Sequence, residues 1–131
     1  MNKLYLTWED IENQVTNLAE QISKSQENII AIYGLPRGGL IPAVMLSHRL
    51  GLPLVSKPTK GTLIVDDICD SGETFIKLSR KYPTNYLACL HLKPHTSNFI
   101  PDIYAETFNS NDWISYPWER KDEDPIADYL K

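Results

Sequence analysis

The sequence predicts an α/β fold built on a parallel sheet, and three observations carry that prediction. Thr62 to Val65 is a short apolar, β-branched run of the kind that fits a strand buried on both faces. Asn28-Ile29-Ile30-Ala31-Ile32-Tyr33 is a second such run, and both lead into glycine-bearing turns that open helices. Ile11, Val15, Leu18, Ala19 and Ile22 recur at helical spacing, which gives an N-terminal helix one buried face.

At 131 residues the chain is expected to form one domain, 1–131, large enough for a real core and with no room for a second. A net charge of −4 argues against nucleic-acid binding as the main task, although a local basic cluster could still meet a phosphorylated small molecule. Cys69 and Cys89 make neither a disulfide framework nor a zinc pattern. There is no signal peptide and no apolar run of about 18 residues, so a cytoplasmic protein without a membrane partner is expected.

Taken in order, Leu4-Tyr5-Leu6 precedes Thr7-Trp8-Glu9-Asp10, whose hydroxyl and acidic residue three positions on form a capping box. The helix that follows should run to about Lys24, with Trp8 in the core or at an interface. After the Asn28 to Tyr33 strand, Gly34-Leu35-Pro36-Arg37-Gly38-Gly39 opens a helix from about Leu40 to Leu50. Pro42 is tolerated in its first turn and Gly51 is a natural stop. His48 and Arg49 suit the dipole at its end and read as surface. Leu52-Pro53-Leu54-Val55 should be a short strand, and Ser56 to Gly61 then returns to the Thr62 strand.

After Thr74 a helix continues to about Lys81, and Pro83 marks a turn. Asn85 to Leu92 is the next strand, with His91 packed against the sheet, and it ends in Lys93-Pro94. His95 and Thr96-Ser97-Asn98 read as loop, and Ile103 to Phe108 as the last strand. An aromatic segment, Asn111 to Glu119, follows. Glu119 to Asp124 reads as a solvated charged run, and Pro125 to Leu130 as a short terminal helix or a subunit contact.

The chemistry concentrates where the Thr62 strand ends. Asp66 and Asp67 place paired carboxylates there, able to accept hydrogen bonds from vicinal sugar hydroxyls and to help hold a hard divalent cation such as magnesium. Asp70-Ser71-Gly72-Glu73-Thr74 then offers consecutive backbone N–H groups at a helix N-terminus, two hydroxyls and a glycine, which suits a phosphate. A carboxylate pair for a ribose beside a cradle for its 5′-phosphate reads as a phosphoribosyl site. Arg37 with its following glycines offers a guanidinium and close N–H groups to a second anion such as pyrophosphate.

These segments resemble the signature of the type I phosphoribosyltransferases, which bind 5-phosphoribosyl-1-pyrophosphate (PRPP), and more closely the bacterial xanthine-guanine enzymes. The similarity covers residues from about 5 to 119, from the Thr7-Trp8 pair to Trp113-Ile114-Ser115-Tyr116-Pro117-Trp118, which matches a Trp-Ile-x-x-Pro-Trp segment. It implies a mostly parallel sheet of four or five strands flanked by helices, with a small base-binding hood over about residues 94–119. It implies transfer of the 5-phosphoribosyl group from PRPP to a 6-oxopurine, with release of pyrophosphate and with Mg2+ as cofactor.

By the same match, Asp66 and Asp67 hold the ribose, and Asp67 meets the metal directly or through water. Asp70, Ser71, Gly72, Glu73 and Thr74 hold the 5′-phosphate. Pro36, Arg37 and Gly38 hold the pyrophosphate, and the Pro36–Arg37 peptide is expected to be cis. Lys93 meets the 6-oxo group, Trp113 stacks on the base, the backbone near Ile114 meets its 2-position edge, and Trp118 supports the segment. Asp70 is the expected general base or its electrostatic equivalent. Relatives are usually homodimers or homotetramers.

The chain departs from that family between Val55 and Thr62, where the family has a much longer segment that closes over bound substrates. A lid excludes water, so the departure bears on turnover more than on binding. Lys57 and Lys60 facing the pyrophosphate, or a neighbouring subunit, are the expected substitutes. A noncatalytic PRPP- or nucleotide-binding regulator and a transferase for another base are the alternatives. A response-regulator receiver is excluded because Asp67 and Lys93 lie too close in sequence for its intervening strands.

Overall fold

The computed structural model describes residues 2–119. The expected helix and charged run beyond Glu119 lie outside the described residues. Four parallel strands form the main sheet: β2 (Ala31–Gly34), β3 (Thr62–Cys69), β4 (Tyr86–Leu92) and β5 (Ile103–Thr107), in the order β2-β3-β4-β5. Three helices flank it, α1 (Trp8–Lys24), α2 (Leu40–Leu50) and α3 (Glu73–Lys81). A separate two-stranded parallel sheet joins β1 (Lys3–Tyr5) to β6 (Trp113–Ser115).

Alternation along the strands divides the core. Leu63 and Val65 of β3, with Ala88 and Leu90 of β4, face α1 and α2 and pack with Ile11, Val15, Leu18 and Leu46. Ile64, Leu87 and Cys89 face the other way, onto Phe75 and Leu78 of α3. Ile114 and Tyr116 extend the first of these clusters, which seats the small sheet on the main body.

Helix boundaries follow local chemistry. Thr7 Oγ1 accepts the Asp10 N–H at 3.1 Å and Asp10 returns the bond to the Thr7 N–H at 2.8 Å, the capping box expected from the sequence. Gly51 stops α2 at φ 65°, a left-handed conformation that glycine adopts without steric cost. Arg49 bonds Thr16 and Glu12 and ties α2 to α1.

Two expectations change. Leu52 to Val55 is not a strand: Leu54 makes only an isolated parallel bridge to Ile32, with Ile32 donating to Pro53 O and Val55 donating to Ile32 O. Pro53 has no N–H to extend a ladder, and the chain turns away after Val55. The central strand is longer than Thr62 to Val65 and carries Asp66 and Asp67 within it. Of the two places expected for Trp8, the core is excluded: the side chain is 53% exposed, with its ring 6.0 Å from that of Trp118.

Candidate active site

The site forms where β2 stops and β3 continues. Their pairing ends at Gly34 with Val65, whereas β3 stays paired with β4 as far as Cys69 with Leu92. The loop after β2 meets the freed edge of β3: Leu35 N–H donates to Val65 O, and Gly39 N–H donates to Leu35 O, both at 2.9 Å. Gly38 packs directly on the Asp67 carboxyl with no room for a β-carbon. The Pro36–Arg37 peptide in this loop is cis.

Asp67 is buried and Asp66 half-buried. Asp66 Oδ1 accepts the Asp67 N–H at 2.8 Å. Burial holds the Asp67 carboxyl well above the usual carboxylate range, and the charge of Asp66, its hydrogen bond to Asp67 and the charge of Glu119 push the same way. Two adjoining carboxylates in the second half of β3 are oxygen donors of the kind a hard cation takes. Among the described residues no three acidic, histidine or cysteine side chains form a metal cluster. A magnesium ion here would take only part of its oxygen shell from the protein, as is usual for that ion.

Beyond Cys69 the chain turns through Asp70, Ser71 and Gly72 into α3. Gly72 adopts φ 88°, and Ser71 Oγ accepts the Glu73 N–H at 3.3 Å. The loop after β4 braces this turn. Asn98 N–H donates to Ser71 O at 2.9 Å, and Thr96 Oγ1 lies 2.8 Å from Asp70 Oδ1 and 3.0 Å from Asp70 O. A β-carbon on Gly72 would come within 2.8 Å of Ser97 Oγ and 2.9 Å of Phe99 N, so the positive φ and the close approach both call for glycine.

Lys93 immediately follows β4 and is 4% exposed. Its Nζ donates to Asp112 O at 3.0 Å and lies 3.6 Å from Asp70 Oδ2 and 5.8 Å from the centre of the Phe108 ring. The lysine thus joins the Asp70 turn to the segment entering β6, where Trp113 is half-buried and Ile114 buried.

A buried polar chain runs behind the site. Gln14 Nε2 and His91 Nε2 are 2.9 Å apart, His91 Nδ1 and Tyr116 Oη are 2.9 Å apart, and Tyr116 O–H donates to Asp67 O at 3.2 Å. With the tyrosine proton committed to Asp67, the consistent tautomer has His91 Nδ1–H donating to Tyr116 and Nε2 accepting from Gln14. Gln14 Oε1 is then left without a partner. Burial lowers the His91 imidazole to about 4, slightly opposed by Asp10. Tyr116 also stacks on Trp118 at 4.9 Å between ring centres.

Contacts thus link Gly38 to Asp67, Asp70 to Lys93, and Lys93 to the residue before Trp113. Lys60 is not among them. Thr59 O accepts from Asn85 Nδ2 and Gly61 O from Ile30 N–H, at the amino ends of β4 and β2. Asp67 stands five residues beyond Thr62, the start of β3, about 16 Å away at strand rise, so Lys60 lies at the far end of the strand from the Pro36–Gly38 loop. The sequence reading did not single out Gln14, Thr96 or Tyr116 for the site. Tyr116 fell on an unspecified position of the Trp-Ile-x-x-Pro-Trp match, and the other two carried no motif.

A parallel sheet with an acidic pair on its central strand, glycine-bearing loops at the strand ends and a small aromatic hood is the architecture of the type I phosphoribosyltransferases. No family model matches the sequence. The structure superposes on a purine phosphoribosyltransferase from Pyrococcus horikoshii Ot3 with a TM-score of 0.76 and 33% identity, over 92% of this chain and 96% of that one. The chain belongs to the purine phosphoribosyltransferase family. The xanthine-guanine phosphoribosyltransferase of Vibrio atlanticus (strain LGP32) is 29% identical over 140 residues, covering 90% of each chain. The xanthine-guanine-hypoxanthine enzyme of Helicobacter pylori shares the fold, with a TM-score of 0.74 at 23% identity over 90% of this chain and 94% of that one.

Proposed function

We propose that the chain transfers the 5-phosphoribosyl group of PRPP to a 6-oxopurine, guanine, xanthine or hypoxanthine, and releases pyrophosphate in purine salvage. The observation that carries this reading is the convergence of the Gly38 loop, the Asp67 carboxyl, the Asp70 turn and Lys93. In it, Asp66 and Asp67 hold the ribose hydroxyls, Asp70 to Thr74 wrap the 5′-phosphate, and Pro36, Arg37 and Gly38 receive the pyrophosphate. Trp113 stacks on the purine, the backbone at Ile114 meets its 2-position edge and Lys93 donates to its 6-oxo oxygen.

A ring nitrogen of the purine forms the bond to C1 as the C1–O bond to pyrophosphate breaks, with that electron pair leaving on pyrophosphate. The Asp70 carboxylate takes the proton the imidazole ring loses. Arg37 offsets charge on the leaving group. Mg2+, held by Asp67 directly or through water, supplies Lewis-acid stabilisation of that charge when bound.

A cytoplasmic homodimer or homotetramer completes the proposal. Leu40 and Val44 lie one turn apart on α2 and are exposed, an apolar patch suited to such a contact. Among the described residues no helix is long and apolar enough to cross a membrane.

The test is pyrophosphate release from PRPP and magnesium with guanine, xanthine, hypoxanthine or adenine in turn, using an Asp66→Asn/Asp67→Asn variant as control. Release with an oxopurine, lost in the variant, is expected. The short connection from Val55 to Thr62, tied down at Thr59 and Gly61, is the observation that favours a noncatalytic binder. PRPP binding without release for any base would decide for that second reading.

A further inference from the structure

Thr96 sits in the exposed loop after β4, outside every motif the sequence presents. Its position is set by a tight turn in which Thr96 N–H and Ser97 N–H both donate to Lys93 O, at 3.3 and 3.0 Å. That turn brings the Thr96 hydroxyl to 2.8 Å from Asp70 Oδ1, on the opposite side of the carboxylate from Lys93, whose ammonium stands 3.6 Å from Oδ2. The Asp70 side chain is 42% exposed, so packing does not fix its rotamer. The two oxygens are therefore not equivalent. One is hydrogen-bonded by a hydroxyl, and the other is ion-paired with Lys93 at 3.6 Å, beyond hydrogen-bond distance.

We propose that Thr96 is a positioning residue for the Asp70 carboxylate: its hydroxyl holds Oδ1, which leaves Oδ2 as the oxygen that receives the purine proton. The proposal rests on the transferase reading and deepens it. Lys93 is held by Asp112 O, so its ammonium sits beside Oδ2 at ion-pair distance. The base thus meets two groups fixed by one short turn, with Lys93 opening the turn and Thr96 closing it. The single hydroxyl proton has Asp70 O at 3.0 Å and Lys93 O at 3.5 Å as competing acceptors, the first of which would tie the phosphate turn itself, and the test has to separate these effects.

Thr96 is exposed, so Thr96→Val keeps the shape and removes the hydrogen bond without opening the core. The expected result with an oxopurine is a loss of about tenfold in kcat, with KM for PRPP within about twofold of wild type and recovery of kcat in Thr96→Ser. Unchanged kcat, or equal losses in kcat and PRPP affinity that Thr96→Ser does not recover, overturns the proposal. Pyrophosphate release by wild type keeps the two readings apart: if wild type turns over no base, the transferase reading fails and this proposal with it, whereas turnover by wild type that Thr96→Val leaves unchanged overturns this proposal alone.

Discussion

A β-carbon added to Gly38 would lie 2.2 Å from Asp67 Oδ2 and 2.4 Å from its Cγ, so the loop after β2 and the buried carboxyl of β3 share one surface. Gly38→Ala is expected to displace that carboxyl and weaken magnesium-dependent PRPP binding by about tenfold or more, the equivalent of about 1.4 kcal/mol. Calorimetry checks the affinity, and circular dichroism checks that the fold persists. Gly39→Ala should behave differently, because its β-carbon would meet Val65 O, a backbone atom, at 2.0 Å. Loss of about 3 kcal/mol of stability or more is expected there, read by urea unfolding.

His91 gives the fold an acid-sensitive component. Its imidazole is lowered from 6.5 to about 4 by burial, so above pH 6.5 neither the folded nor the unfolded state carries the proton. Below that the unfolded chain binds a proton that folded His91 refuses until about pH 4. Stability should fall by about 1.4 kcal/mol per pH unit across this window, about 3 kcal/mol in all, with no further loss from this group at lower pH. Urea unfolding of wild type and His91→Asn at several pH values isolates the contribution. Parallel slopes for the two proteins would contradict it.

Tyr116→Phe keeps the ring on Trp118 and removes the hydroxyl between His91 and Asp67 O. The buried imidazole N–H is left unpaired, and a stability loss of about 1–3 kcal/mol is expected in thermal or urea unfolding. A variant as stable as wild type would show that water takes the place of the hydroxyl.

Asp70→Asn should lower kcat by about a hundredfold or more, the range of general-base catalysis, while PRPP affinity stays within about twofold. Steady-state kinetics with parallel PRPP binding separates the two. An equal loss in both would assign Asp70 to the phosphate turn and not to the proton.

Much of the main sheet was legible because its signals are local. The run from Asn28 to Tyr33, of which the strand takes up Ala31 onward, the Thr62 to Val65 run, the Thr7 and Asp10 cap and the Gly51 stop each follow from neighbouring residues. The residues of the candidate site were nominated by resemblance on the same local basis, since each motif is contiguous. What could not be read were relationships between distant segments. The proximity of Gly38 to Asp67 depends on β2 ending before β3 does. The Gln14, His91 and Tyr116 chain draws on a helix, a strand and the hood, and no spacing within one segment encodes it. Leu54 was misread because an apolar pattern predicts burial in a ladder, whereas Pro53 and the turn after Val55 leave it a single bridge.

The pairing of Lys3, Leu4 and Tyr5 with Trp113, Ile114 and Ser115 sets an order on synthesis. A ribosome delivers the residues of all four main strands before β1 meets its partner, so the nascent chain can form the turns after β2 and β3 well before the small sheet closes. Closing so long a loop contributes little local stability early on, and it comes last. A growing chain of this protein thus completes its main sheet first, and seats the segment around Trp113 only when one of its last strands captures its first.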